Sequence, residues 1–447
     1  MGPVKIIATV GPASRSPETL RELARAGASV FRVNCSHASP EEARETVILI
    51  RETLPLAAVL LDLQGPKLRT GDRRLDLPEH RDVMLTSEDL TFDPQGVGMR
   101  PGDRMLVADG QIELRVLDVN AAGVRAAVLR GGVAEAHRGV NLPDTPLTLS
   151  ALSEQDQSFI TVANDEHVEW VALSFVRRVE DIEDLRARLR PGTGIVAKIE
   201  RPEALVNLSG IVDAADAVMA ARGDLGVEIP YEEVPRAQRM IAELALKAGK
   251  ASICATEMLE SMRSNTRPTR AEVSDVDAAV HDGYGAVMLS AETATGQHPV
   301  EAVRAMRRIC DNAPQQHEAK LYADANPQEA AVSAAASALA MRTNAERILS
   351  LTLTGYSARV LSACRPPARI LAATPNIEVA RRLGLYWGVE PLIAARHETV
   401  KESLQEVRDV AARAGTPLDG LMVVTASRTN PARPPDTIWI AEPGIQA

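Results

Sequence analysis

Eight short apolar runs, at residues 4–10, 29–35, 57–63, 170–175, 195–200, 217–222, 251–256 and 286–290, constrain the fold of this chain most. Helix-like stretches separate most of them. Strand–helix alternation of this kind builds parallel sheets covered by helices. Two architectures accommodate it, a closed (β/α)8 barrel and an open doubly wound sheet. Eight regularly spaced units favour the barrel. The helices announce their starts: Ser16-Pro17-Glu18 and Ser39-Pro40-Glu41-Glu42 each supply a cap, a proline for the first turn and acids for the positive end of the dipole. Ser153-Glu154-Gln155-Asp156 and Pro202-Glu203 open further helices.

The alternation breaks between residues 71 and 139. Turn signals at Pro101-Gly102-Asp103, Asp109-Gly110 and Ala122-Gly123 flank short strand-like runs there. This predicts a small β domain inserted after the third barrel strand, placed to close over the barrel mouth as a lid. From about residue 315 the chain is Ala-rich and helical over 329–341. Strand-like runs at 348–353, 369–373 and 420–424 follow, and predict a C-terminal three-layer α/β domain. The expected division is a catalytic barrel from 1–70 and 140–314, a lid from 71–139 and a C-terminal domain from 315–447.

A net charge of −10 argues against a general nucleic-acid or anionic-membrane binder. Local arginines and a metal still allow anionic substrates. Packing must rest on aliphatic residues, because 45% of the chain is hydrophobic and only 3% aromatic. Cys35, Cys254, Cys310 and Cys364 lack metal-ligand spacing, the pattern of free thiols in a reducing cytoplasm. No apolar run reaches the ~18 residues of a membrane span, and the first residues read as a strand rather than a leader. The expected location is cytoplasmic.

In a barrel, function sits at the carboxyl ends of the strands. The unusual polar residues fall there. The fifth and sixth runs lead into Ala197-Lys198-Ile199-Glu200 and Ala221-Arg222-Gly223-Asp224-Leu225-Gly226. Alternation puts Lys198 and Glu200 on one face, and parallel neighbouring strands bring Asp224 beside them. Two carboxylates with open positions suit Mg²⁺, and a lysine there stabilises developing negative charge. The alternative is a structural Lys198–Glu200 ion pair. Arg32, Lys67, Arg69, Lys198 and Arg222 offset phosphate charge, and Thr256 supplies a neutral hydroxyl. Backbone N–H groups at Gly223 and Asp224, opening a helix, offer an anion site. Several cations with a metal are the equipment of phosphoryl transfer.

At these residues the chain resembles the pyruvate kinase family. The resemblance spans nearly the full length. It is carried by residues 5–14, by Arg32-Val33-Asn34-Cys35-Ser36-His37, by Gly139-Val140-Asn141-Leu142-Pro143, by the two motifs above, by Ile253-Cys254-Ala255-Thr256 and by residues 268–276. It implies a barrel with an inserted lid and a C-terminal domain, and Mg²⁺- or Mn²⁺-dependent transfer of a phosphoryl group from phosphoenolpyruvate to ADP, giving pyruvate and ATP. By position, it implies that Arg32 binds the substrate phosphate and that Lys198 stabilises the transferring group and the enolate. Glu200 and Asp224 hold the metal, while Gly223, Asp224 and Thr256 contact the pyruvate moiety, with Thr256 near the proton path. Asn34, His37, Arg69 and Arg138 face the nucleotide. It further implies a homotetramer.

Departures from the family pattern carry expectations of their own. Where many members read Thr-Lys-Gly-Pro-Glu after Asp62, this chain reads Leu63-Gln64-Gly65-Pro66-Lys67. In members that need K⁺, the ion sits among the equivalents of Asn34, Ser36, Asp62 and the Leu63 carbonyl. The resemblance to the K⁺-independent branch implies that the Lys67 ammonium substitutes for K⁺, although Thr70 stands where that branch is usually aliphatic. Residues 352–358 resemble the loop that binds a sugar-phosphate effector, with Arg428 and Arg433 as further candidates, while the later glycine-rich effector loop is not recognisable. A non-catalytic metabolite sensor and a carbon–carbon lyase on a related barrel are the competing readings. The intact chemical centre disfavours the first, and the lid with its nucleotide-side residues the second.

Overall fold

The computed structural model describes residues 2–314 and 326–415, together with 418, 420, 422–426 and 435–441. Eight strands close into a barrel: Lys5–Thr9, Ala28–Asn34, Ala58–Asp62, Trp170–Leu173, Gly194–Ile199, Ala217–Ala221, Ala251–Ala255 and Ala286–Leu289. Every pairing around the ring is parallel, and the first and last strands join through Lys5↔Ala286 to Ala8↔Leu289. The closed ring excludes the open sheet.

The expected caps start the helices. Ser16 accepts from Thr19 N ahead of Pro17, and Ser39 and Ser153 each close a capping box, with Glu42 and Asp156. Alternation along the strands sorts side chains to two cores. Ile195, Ala197 and Ile199 face the surrounding helices, while Val196 faces the barrel axis with Leu60, Trp170, Met219 and Met288. The same alternation sends Lys198 inward at the strand's carboxyl end. The barrel interior is thus apolar at its foot and in its middle, and charged at its top.

Antiparallel strands Asp82–Leu85, Arg104–Val107, Ile112–Asn120, Gly123–Arg130 and Val140–Asn141 form a separate sheet around a core of its own, with Met105, Ile112, Leu114 and Val124 inside. Its two connections to the barrel run alongside each other. Thr70 N donates to Arg138 O at 2.8 Å, and Val140 N donates to Leu68 O at 2.9 Å. The Thr70 hydroxyl accepts from Arg138 N at 2.9 Å.

The C-terminal α/β domain is a five-stranded sheet, parallel except for Thr437–Ala441. Strand Val389–Ile393 was not foreseen, because Glu390 and Pro391 interrupt its apolar run. The domain seats against the foot of the barrel. Tyr386 packs on Trp170 with ring centroids 5.9 Å apart, and Ser29 donates to Gly384 O at 3.0 Å. Among the described residues, no helix is long and apolar enough to cross a membrane.

Candidate active site

Register brings the charged residues together at the carboxyl end of the barrel. Arg32 lies opposite Thr9 on one side and two pairs below Asn34↔Asp62 on the other. Its Nε donates to Asp62 Oδ2 at 2.7 Å, and its guanidinium donates to Thr9 Oγ1 at 3.0 Å. The Lys198 ammonium donates to Ser174 Oγ at 2.7 Å and lies 2.8 Å from Glu200 Oε1 and 3.2 Å from Asp62 Oδ1. The Phe175 amide, held at φ 55°, donates to Glu200 Oε2 at 2.7 Å.

Burial makes these charges strongly interdependent. It would depress the Lys198 ammonium, but Asp62, Glu200 and Asp224 outweigh it and push the pKa up. Burial would raise Asp62, yet Lys198 and Arg32 hold it below its ordinary value. Glu200 shifts the other way: its burial prevails over Lys198, and Asp224 adds to the rise. Lys198 and Glu200 do form the expected ion pair, but the same ammonium also serves Asp62. Asp62 Oδ1 and Glu200 Oε1 are both buried, and the Lys198 ammonium is the cation they share. A buried carboxylate oxygen is costly unless a cation or donor serves it.

Asp224 is in the first turn of helix Arg222–Glu228 and lines a cleft with Lys67, Asp109, Asn141, Phe175 and Glu228. Hard carboxylate oxygens, with Glu200 and Asp62 sharing one ammonium, fit a divalent ion such as Mg²⁺. Such an ion takes one or two carboxylates and fills its other positions with waters and phosphates. Among the described residues, no group of three His, Cys, Asp or Glu side chains forms a closed metal cage.

Thr256 caps the other side of the mouth. Its hydroxyl accepts from Gly223 N at 2.7 Å and donates to Ala255 O at 2.6 Å. The Gly223 amide, expected to meet a ligand, is therefore engaged within the protein. Arg222 corrects its expected role as a phosphate cation. Its guanidinium turns behind the strand ends to Asp275 at 2.6 Å and to Thr256 O at 2.7 Å.

The remaining candidates form a basic rim. His37 ends the 3-10 turn Cys35–His37, which Asn34 caps by accepting from Ser36 N at 3.1 Å. Partial burial, then Lys67, Arg69 and Arg32, depress the His37 pKa. Lys67 is exposed and forms no ion pair among the described residues. Arg69 donates to His137 O at 3.0 Å, and the exposed Arg138 follows it on the paired lid connection. Cys35 is buried, and burial pushes its thiol well up, the condition of an inert cysteine.

Sequence reasoning gave no role to three groups that organise this mouth. Ser174 links Lys198 to Leu63 O, donating to that carbonyl at 2.8 Å. Asp156 reaches from its capping box to accept from Gln64 N at 3.1 Å, fixing the loop that carries Lys67. Arg201 pairs with Glu228 at 2.9 Å, both side chains 1% exposed, and donates to Leu142 O and Thr145 O. Asn141 also donates to Glu228, at 2.7 Å, so the lid's return strand is tied to the barrel. The signal for this tie lay in the charges placed directly after Glu200 and inside Gly226-Val227-Glu228.

At the foot of the C-terminal domain, Gly355 adopts φ 84° and opens helix Tyr356–Ala363. Gly355 N donates to Thr352 Oγ1 at 3.0 Å, and the Arg359 guanidinium stacks 4.9 Å from the Tyr356 ring centroid. Arg428 and Arg433 lie outside the described residues.

A closed parallel barrel, a β lid hinged at its carboxyl face and a mouth of paired cations and carboxylates define a class: lidded barrel enzymes that handle anionic substrates with a metal. The pyruvate kinase barrel-domain model matches residues 1–303, and the pyruvate kinase alpha/beta-domain model matches residues 330–438. The chain belongs to the pyruvate kinase family. It is 38% identical to pyruvate kinase 2 of Synechocystis sp. over 95% of this chain and 76% of that protein. It is 39% identical to a pyruvate kinase of Agrobacterium vitis over 94% of each chain. It is 37% identical to the pyruvate kinase of Geobacillus stearothermophilus over 94% of this chain and 77% of that one.

Proposed function

We infer that this chain is a phosphotransferase that moves the phosphoryl group of phosphoenolpyruvate to ADP, giving pyruvate and ATP, in a Mg²⁺-dependent step of glycolysis. The observation that carries this reading is the buried Lys198 ammonium shared between Asp62 and Glu200, with Asp224 as a further carboxylate acting on it. Arg32 and Lys198 hold the substrate phosphate. Glu200 and Asp224 hold the divalent ion, which when bound neutralises phosphate charge. An ADP phosphate oxygen forms the new P–O bond as the bond to the enol oxygen breaks. Lys198 stabilises the enolate oxygen left behind, and the enolate carbon takes a proton on the Thr256 side. Gly223, Asp224 and Thr256 frame the three-carbon acid. Asn34, His37, Arg69 and Arg138 form the nucleotide rim.

The division into barrel (1–70, 140–314), lid (71–139) and C-terminal unit (315–447) assigns chemistry, closure and regulation. K⁺ is dispensable in this reading. Three of the groups that match the K⁺ cradle have partners within the protein: Asn34 accepts from Ser36 N, the Leu63 carbonyl accepts from Ser174, and Asp62 pairs with Arg32 and Lys198. Lys67 supplies the extra positive charge at the rim. A sugar-phosphate effector at residues 352–358, a homotetrameric assembly and a cytoplasmic location complete the proposal.

The test is pyruvate formation from phosphoenolpyruvate, ADP and Mg²⁺ in tetramethylammonium buffer, then with K⁺ added. Full turnover without K⁺ is expected. Turnover only with K⁺ contradicts the role of Lys67. No turnover in either buffer, with folded protein and candidate effectors supplied, favours the metabolite sensor.

A further inference from the structure

Thr256 has φ 68° and Glu257 φ 53°, two consecutive left-handed residues at the end of the seventh barrel strand. A β-branched residue rarely occupies that region, and it stays there only when its surroundings hold it. The hold comes from behind the strand. Arg222 Nε donates to Ala255 O at 3.1 Å and Arg222 NH2 donates to Thr256 O at 2.7 Å, so one planar fork grips both carbonyls that flank the strained residue. The fork is itself fixed by Asp275 at 2.6 Å and Gln238 at 3.1 Å. Gln238 is anchored in turn, donating to Asp282 at 3.0 Å. Ala255 O also accepts the Thr256 hydroxyl proton, so Arg222 occupies the carbonyl that competes for it.

We propose that Arg222, oriented by Asp275, is a positioning residue that holds Thr256 in its left-handed conformation with the hydroxyl at the barrel mouth. This rests on the proposed role of Thr256 at the proton path. Lysine keeps the charge but cannot grip two carbonyls at once.

The test is a double-mutant cycle of Arg222→Lys and Thr256→Ala in the full chain. It reads kcat, KM for phosphoenolpyruvate and deuterium uptake into the methyl group of pyruvate. In the native background, Arg222→Lys is expected to lower kcat and deuterium uptake together by about tenfold or more, with KM changed by less than about threefold. In the Thr256→Ala background, the same substitution is expected to change kcat by less than about twofold. Equal losses in both backgrounds overturn the proposal, because Arg222 then acts independently of Thr256. Thr256→Ala at native turnover removes the premise and overturns it by a different route. If Arg222→Lys fails to fold, Asp275→Asn runs the same cycle, with the same non-additivity expected and the same additivity contradicting it.

Discussion

Lys198, Asp62, Glu200 and Arg32 form a chain of buried charges in which each group's state depends on its neighbours. Asp62 faces two cations and is 2% exposed in its side chain. Its replacement by asparagine leaves Arg32 and Lys198 without their shared counter-charge. Asp62→Asn is expected to lower unfolding stability by about 3–5 kcal/mol at pH 7, measured by urea titration. Because the folded pKa of Asp62 is depressed, its carboxylate stabilises the fold above the ordinary Asp range. That contribution is lost as pH falls through the folded value. The gap between the two proteins should therefore narrow in acid, and a gap independent of pH contradicts the assignment. At the rim the sign reverses. Lys67 is the first of the charges that depress His37 after burial, so Lys67→Met is expected to move the His37 midpoint up toward 6.5 in an NMR titration. An unmoved or lowered midpoint contradicts their proximity.

Among the elements, the barrel strands were the most legible in the sequence, because their apolar runs are buried on both faces and capping residues such as Ser16, Ser39 and Ser153 mark helix starts between them. The structure trims them at the ends, so that the run at 170–175 becomes Trp170–Leu173. Ser174 and Phe175 leave the strand to serve Lys198 and Glu200. The clustering of Lys198, Glu200 and Asp224 was legible because alternation and parallel neighbours fix it locally. The direction of Arg222 was not, since only the fold brings Asp275 and the Ala255 carbonyl to it. The charges of Arg201 and Glu228 stand in the sequence, but their pairing was not legible for the same reason, since only the fold brings Asn141 and Leu142 to them. One strand-level constraint is steric. A Cβ at Gly194 would lie 2.5 Å from the Trp170 ring, which is fully buried between barrel and C-terminal domain. Gly194→Ala is expected to destabilise by about 1–3 kcal/mol, read as a lower melting temperature. An unchanged melting temperature contradicts tight packing at the barrel foot.

At the scale of the whole molecule, the barrel is closed at one end and open to chemistry at the other. Tyr386 and its neighbours continue the barrel's inner core into the C-terminal sheet, so Ile348, Ile370 and Val423 belong to the same apolar cluster as Met219 and Ile253. At the opposite end, the paired connections at Thr70 and Arg138 and the Arg201–Glu228–Asn141 tie bring the lid to the charged mouth. The C-terminal sheet is thus packed onto the foot of the barrel, and the lid is tied to its mouth. Both features serve a centre that depends on one buried ammonium. The most direct measurement is turnover of phosphoenolpyruvate and ADP with Mg²⁺ by Lys198→Met beside the native protein. A loss of about a thousandfold or more in kcat, with the fold retained, is the expected result. Turnover within about tenfold of native would contradict the central role of Lys198 in phosphoryl transfer.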